Sequence, residues 1–500
     1  MTVEKIVERF KAHQKELGAY QYMIGLLMFD QEVSAAPAGV EAAATTAAVL
    51  EGRIYNLSTD ENFKKDVEAL MDRRDELDDV TRREAELFFR EIEHYRQIPE
   101  KLIVDFGAHR TECVSVWRRA KEEKNFSLYA PYLEKSIEYI RQIYEHCAPG
   151  KPTYEALLDY TEEGMTTAYL DQFFEVMRRR LIPLIHRVRQ SKTEIRSDFL
   201  GRSYAVDAQK KLSHRLMELL GMDAHRSRLY ESEHPFTIAM SMDDVRITTH
   251  YYEQSVTSSM YSVVHEGGHA LYEMGVDRAL RDSVLSKAMI ITLHESQSRF
   301  VENYIFRSRE MCRFLFPELQ SLYSDQLKDV TAEEWYRAVN KCAFSLIRCD
   351  ADELTYPMHV LIRYELEKKL FNGELKVQNL PEAWNDLYEE YLGVRPADDA
   401  EGVMQDIHWA DGMFGYFYSY ALGTAYGAQM MDCIKREMDV QALLSKGEIQ
   451  PLIQYMRSHV HQYGALRTPQ RIIEDCFGGP FDPDHYMDYL EKKYSELYNI

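Results

Sequence analysis

The chain is expected to be mostly α-helical with one small β-hairpin, and three observations carry that expectation. Apolar residues recur at steps of three and four through much of its 500 residues, the spacing that lines one face of a helix. Pro or Gly stands at many of the breaks between such stretches. The strict alternation that marks a half-buried strand is confined to one place.

In chain order, Val3, Ile6, Phe10, His13, Leu17, Tyr20, Ile24 and Leu27 form the apolar seam of a long N-terminal helix, which is scaffold. Further helical patterns cover 80–97, 101–124, 130–147, 167–191 and 207–220, then 333–372 and 415–437. Between the two groups, His234-Pro235-Phe236 leads into Ile238 and Met240, a turn at Met242-Asp243, and Val245, Ile247 and Thr249. That is the alternation of a hairpin. Its edge suits an extended peptide added as a further strand, and a hairpin that only covers the core reads equally well. A hydrophobic content of 45% supports a large core, and no linker, repeat or low-complexity block divides the chain. One domain over 1–500 is expected, with a helical region over about 1–225 covering a core over about 226–500.

Composition removes several function classes. The net charge is −22, from 60 basic and 82 acidic residues, and no basic patch is interleaved with aromatics, so nucleic-acid binding is disfavoured. Glu4, Lys5, Glu8 and Arg9 occupy the place of a signal peptide's apolar core. No apolar run approaches the roughly 20 residues of a membrane span, and a cytoplasmic location is expected. The seven cysteines include no Cys-x-x-Cys pair, which points to reduced thiols rather than a disulfide frame. Phosphate-cradling, dinucleotide-binding and Gly-x-Ser-x-Gly motifs are missing from the sequence.

The apolar run 263–274 carries His265-Glu266-Gly267-Gly268-His269. A helix turns about 100° per residue, so positions 265 and 269 share a face with Cβ atoms roughly 6 Å apart, and two imidazoles so placed can close on one metal ion. Glu266 leaves the helix beside them, where a carboxylate can take a proton from water that a zinc ion has acidified to a pKa of about 7. With 17 His and 82 acidic residues, chance supplies the pattern roughly 0.1 times in such a chain, so context must add to it. Gly267 and Gly268 do so: each costs a helix interior about 1 kcal/mol relative to Ala, which close backbone approach would explain.

A catalytic zinc needs a third protein ligand and an open position. Glu273 continues the series but lies about 12 Å along the helix from His265. The better candidate is Glu295, in a helical pattern over 283–309 that starts at Ser283 as a cap and reads His294-Glu295-Ser296-Gln297 in its middle. It follows His269 at a distance that allows a loop and a returning helix, although a mid-helix glutamate is as readily solvated or ion-paired. Arg348 interrupts the apolar run Ala343, Phe344, Leu346, Ile347, and a guanidinium there suits a substrate carboxylate. Pairing with Asp350 or Asp352 would explain it equally well.

Six short motifs then stand in order: His234-Pro235-Phe236; Asp244-x-Arg246-x-Thr248; His265-Glu266-x-x-His269; His294-Glu295-Ser296-Gln297; Ile347-Arg348-x-x-Ala351-Asp352; and Gly402-x-x-Gln405-Asp406-x-His408-Trp409. Together they resemble the zinc metallocarboxypeptidases of the carboxypeptidase Taq family, from near the N-terminus to the end. The chain departs from the pattern at Phe29-Asp30-Gln31, where a Trp-Asp pair is expected.

The resemblance implies a nearly all-helical, zincin-like fold with a deep groove and a homodimer. It implies release of single amino acids from peptides with a free C-terminal carboxylate, with broad tolerance. His265, His269 and Glu295 would hold zinc, which cobalt could replace, and Glu266 would be the general base. The family motif favours Arg348 as the carboxylate anchor and His234 as a groove residue. Arg246 and Gln405, with Asp244 and Asp352, would orient ligands or close the groove end, although ordinary buried salt bridges would explain the charged ones as well. Similarity to the wider clan of helical zinc peptidases favours His408 and Tyr420, with Tyr416 as a substitute, for stabilising the oxyanion. The alternatives are a zinc oligopeptidase or dipeptidyl carboxypeptidase of related fold, and a helical binding protein that has lost catalysis.

Overall fold

Helices dominate the computed structural model, which describes residues 2–286 and 290–500. Contacts group the chain into two units. The first comprises Met1–Ile92, Arg196–Val339 and Met430–Pro480; the second comprises Glu93–Ile195, Asn340–Gln429 and Phe481–Ile500. All seven cysteines are free. No helix among the described residues is long and apolar enough to cross a membrane.

In the first unit, the N-terminal helix Val3–Val33 buries Val3, Ile6, Phe10 and Leu17 from the seam read in the sequence. Phe10 stacks on Phe63 and meets Phe88 edge-on. His13 stacks on Phe63 at 4.0 Å, and its Nε2 is 3.0 Å from the carbonyl of Leu57, so a polar seam position is satisfied without breaking the apolar face.

The expected hairpin is present as β2 (Thr237–Ser241) and β3 (Asp244–Thr249), paired antiparallel. A third strand, β1 (Ser227–Glu231), lies parallel to β3 and gives the order β1-β3-β2. Sequence patterning missed β1 because this edge strand buries only Ser227 and so shows no apolar alternation. Thr248 locks the sheet: its Oγ1 lies 2.7 Å from Ser232 Oγ and accepts a hydrogen bond from Phe236 N at 2.9 Å.

The helix Val256–Gly275 packs on β3 and on the helices Val206–Leu220 and Ile291–Arg299. The single helix expected over 283–309 is divided. Ser283 Oγ donates to Glu84 and accepts from Leu285 N, which commits it to a short turn, Val284–Ser286. Residues 287–289 of that expectation lie outside the described residues. The α-helix runs from Ile291 to Arg299, widens to a π-helix over Phe300–Phe306, and Ser308 caps the next helix, Arg309–Leu322.

In the second unit, the helices Glu100–Glu122, Phe126–Cys147 and Thr167–Gln190 match the patterns read for them. The pattern over 333–372 does not form one helix. It breaks between Ala332–Val339, which belongs to the first unit, and Tyr356–Phe371, where Pro357 sits in the first turn, the one place in a helix that tolerates its missing N–H. Asp352 binds the backbone N–H groups of Ala343, Leu354 and Thr355, folding the intervening chain into a loop.

Candidate metal centre

His265 and His269 lie one helical turn apart on Val256–Gly275, their ring centroids 5.0 Å apart. Glu295 reaches them from the neighbouring helix: its Oε2 is 3.7 Å from Nε2 of His265 and 3.5 Å from Nε2 of His269. One ligand atom from each of the three residues falls within 4.8 Å of the others. Donors bonded at about 2.1 Å to a tetrahedral ion stand about 3.4 Å apart, so the two imidazoles and the carboxylate fit a divalent metal.

The close approach that the paired glycines suggested occurs at Gly268. A Cβ there would lie 2.6 Å from the Gln297 carbonyl oxygen and 2.6 Å from Ser298 Cα, backbone atoms of the helix that carries Glu295. At Gly267 a Cβ would meet the Leu220 side chain. Only a residue without a side chain lets the two helices come near enough for three ligands to converge.

Behind the trio stands a charged layer. Glu302 Oε2 is 2.9 Å from Nδ1 of His265, so that nitrogen carries the proton and Nε2 keeps its lone pair for a metal. Arg299 donates through Nε to Glu295 Oε1 at 2.8 Å and through Nη1 to Glu302 Oε2 at 3.2 Å. Arg307 donates to Glu302 Oε1 and lies 3.7 Å from the ring centre of Tyr261. Burial raises the Glu295 and Glu302 carboxyls, but the guanidiniums and imidazoles outweigh it and hold both below the usual range. Burial and His294 push His269 down to about 3, leaving it neutral as ligation requires. His294 stacks on His269 at 4.4 Å and bonds Glu273, the glutamate whose distance along the helix set it aside as a ligand. Sequence reasoning missed Arg299 and Glu302. Their spacing of four and seven residues from Glu295 was the available signal, since it puts all three on one stripe.

Glu266 is buried beside the trio. Burial raises its carboxyl above the ordinary range. The other candidates of this unit lie on the sheet and its approach. Arg246 pairs with Asp244 through two hydrogen bonds of 2.8 and 3.0 Å and lies over the Phe29 ring. His234 is exposed, and its carbonyl accepts from Ser232 Oγ at 2.6 Å.

Arg348, Gln405, His408, Tyr416 and Tyr420 come together in the second unit. Arg348 is buried and bonds neither Asp350 nor Asp352. Its Nε and Nη2 donate to Asp406 Oδ1 at 3.1 and 2.9 Å, and Nη1 donates to the Tyr356 hydroxyl at 2.9 Å. Arg363, fully buried, binds the other Asp406 oxygen through Nε at 2.7 Å. Two guanidiniums thus share one carboxylate and leave the trio one positive charge in excess. Gln405 Oε1 accepts from Arg348 N and Arg363 Nη2. The Tyr420 hydroxyl is 3.5 Å from His408 Nε2, and its ring packs edge-on against Tyr416 at 5.5 Å. Burial, with help from Arg348 and Arg363, pushes His408 down to about 4, so it is neutral at pH 7.

The loop that carries Asp406 and His408 is held from two sides. Trp117 and Lys121 donate to the carbonyls of Met404 and Gln405, while the buried Glu367 accepts from Trp409 Nε1 and Gly415 N.

Two histidines one turn apart, a glutamate from the next helix and a second glutamate beside them, on a mostly helical frame, define a metallopeptidase. Comparison with known proteins gives the same class. The sequence profile of the carboxypeptidase Taq (M32) metallopeptidase family matches residues 9–494. Carboxypeptidase 1 of Bacillus subtilis is 37% identical over 97% of each chain. Thermostable carboxypeptidase 1 of Thermus thermophilus is 34% identical over 100% of each. The crystal structure of the M32 carboxypeptidase from Deinococcus radiodurans superposes with a TM-score of 0.95 at 34% identity, covering 99% of this chain and 100% of that one. The chain belongs to the carboxypeptidase Taq (M32) metallopeptidase family.

Proposed function

We propose that the protein is a zinc carboxypeptidase that hydrolyses the last peptide bond of peptides bearing a free C-terminal carboxylate, releasing single amino acids with broad tolerance. The carrying observation is the convergence of His265, His269 and Glu295 within 4.8 Å, with Glu266 beside them, in a chain whose relatives are named carboxypeptidases. These three residues would hold the metal, zinc or cobalt, which supplies Lewis-acid polarisation of the scissile carbonyl and acidification of water.

The chain's own residues do the rest. Glu266 takes a proton from the attacking water and gives it to the leaving amine. Arg348 anchors the terminal carboxylate. Its bonds to Asp406 and Tyr356 leave one N–H on Nη1 for that purpose, while the second N–H of Nη2 meets only the weak acceptor Cys349 Sγ at 3.7 Å, and the excess charge of the Arg348–Asp406–Arg363 trio favours an anion. The Tyr420 hydroxyl, with neutral His408 behind it, donates to the developing oxyanion, with Tyr416 as the substitute. His234, Arg246 and Gln405 border the bound peptide. The active form is a cytoplasmic homodimer.

Matched peptides with free and amidated C-termini, incubated with protein of defined zinc content and resolved by mass spectrometry, test this reading. Single amino acids should appear from the free peptides alone. Equal cleavage of amidated peptides, or release of dipeptides, would transfer the assignment to an oligopeptidase or a dipeptidyl carboxypeptidase. Zinc-loaded protein without turnover on any peptide would transfer it to a binding protein.

A further inference from the structure

Thr237 opens β2, one residue beyond His234-Pro235-Phe236. Its hydroxyl lies 2.6 Å from Glu266 Oε2 and 3.0 Å from the Glu266 carbonyl oxygen. The register that brings it there is over-determined: Thr237 pairs with Ile247 across the sheet, and Thr248 Oγ1 binds the backbone N–H of Phe236. A threonine that merely tied a strand to a helix would need only the carbonyl. The shorter contact goes instead to the carboxylate, at the length of a charge-assisted O–H···O bond. Among the described residues no hydrogen bond engages Glu266 Oε1.

We propose that Thr237 is a positioning residue for Glu266, holding Oε2 through its hydroxyl so that Oε1 alone meets the water and then the leaving amine. This rests on Glu266 being the general base. In the first transfer a water O–H bond breaks as an Oε1–H bond forms, and the electron pair stays with the attacking oxygen. In the second, Oε1 passes that proton to the amine nitrogen as the C–N bond breaks, and the carboxylate is restored. Thr237 keeps its own proton throughout. Its contribution is orientation: a carboxylate free to rotate about its last bond would present either oxygen, or neither, to the water.

The test is steady-state hydrolysis of a peptide with a free C-terminus by Thr237→Val, Thr237→Ser, Glu266→Gln and the double variant Glu266→Gln/Thr237→Val, each with its zinc content measured. Thr237→Val keeps the shape and loses the hydroxyl, so kcat should fall about 10- to 100-fold, with KM within about twofold and zinc unchanged. Thr237→Ser should restore kcat to within about threefold of the parent protein. On the Glu266→Gln background, Thr237→Val should change nothing, because the group it positions is gone. A wild-type kcat for Thr237→Val, a Thr237→Ser as slow as the valine variant, or an equal further loss on the Glu266→Gln background would each overturn the proposal. If Thr237→Val does not fold, Thr237→Ser against Thr237→Ala makes the same comparison, since only serine keeps the hydroxyl. Full activity in Glu266→Gln would remove the general base itself. An inactive Glu266→Gln beside an unaffected Thr237→Val would remove only the role of Thr237.

Discussion

Nδ1 of His265 faces Oε2 of Glu302 at 2.9 Å, and the same oxygen is shared with Arg299. The carboxylate fixes the tautomer of the imidazole and strengthens it as a donor toward a metal, while Arg299 ties it to Glu295. Glu302→Gln removes the charge and keeps the shape. Metal affinity should fall about 10- to 100-fold, measured by competition with a chelator of known zinc affinity; an unchanged affinity would show that His265 needs no such support.

Gly268→Ala places a Cβ 2.6 Å from backbone atoms of Gln297 and Ser298, so the helices that carry His265, His269 and Glu295 must separate. Thermal unfolding should show a loss of about 1–3 kcal/mol, accompanied by weaker metal binding. Gly267→Ala, whose new methyl would meet only side-chain atoms, those of Leu220 and Met222, should lose less on both counts. Equal effects at the two positions would contradict the close approach as the reason for Gly268.

Arg348→Lys keeps a charge but loses the planar fork that can serve Asp406 and a substrate carboxylate together. We expect kcat/KM on free-carboxylate peptides to drop by about 2 kcal/mol or more, roughly 30-fold, and discrimination against amidated peptides to shrink. Retention of that discrimination would place the anchor elsewhere.

Asp406 sets a pH dependence of stability. Burial raises its carboxyl, but Arg363 and Arg348 outweigh that and hold it below the ordinary aspartate value. A depressed folded-state pKa stabilises the fold above the unfolded value of about 3.9 and ceases to do so as pH falls through the folded one. The midpoint of chemical unfolding should therefore be steady near neutrality and decline below about pH 4, with Asp406→Asn flattening that decline. At pH 7 the same variant should cost about 3–5 kcal/mol, because it leaves two buried guanidiniums without a charge partner. An acid limb identical in the variant would show that other carboxyls carry it.

What could be read in the chain depended on how local its cause was. The seam from Val3 to Leu17 was legible because burial of one helix face leaves a period of three to four. The pair β2 and β3 was legible because a half-buried strand alternates, and β1 was not, because an edge strand with one buried residue leaves no period. The extent of the helices near 283–309 and 333–372 was overestimated: apolar spacing cannot see Ser283 committed to Glu84 or Asp352 gathering the N–H groups of three residues. The partner of Arg348 was sought within four residues and lies at Asp406, across two intervening α-helices in sequence, Tyr356–Phe371 and Leu380–Leu392.

The order of residues by itself determined that positions 265 and 269 share a helix face, that Glu266 stands beside them, and that Gly267 and Gly268 leave room for a close neighbour. Helical geometry repeats every few residues, and such facts need nothing distant. Tertiary structure alone decided that the Glu295 carboxylate comes within 3.7 Å of both imidazoles, that Glu302 meets Nδ1 of His265, and that the Thr237 hydroxyl turns to Glu266 while its backbone pairs in the sheet. Those contacts join segments tens of residues apart, and their distances follow from how side chains pack between elements, which no spacing along the chain encodes.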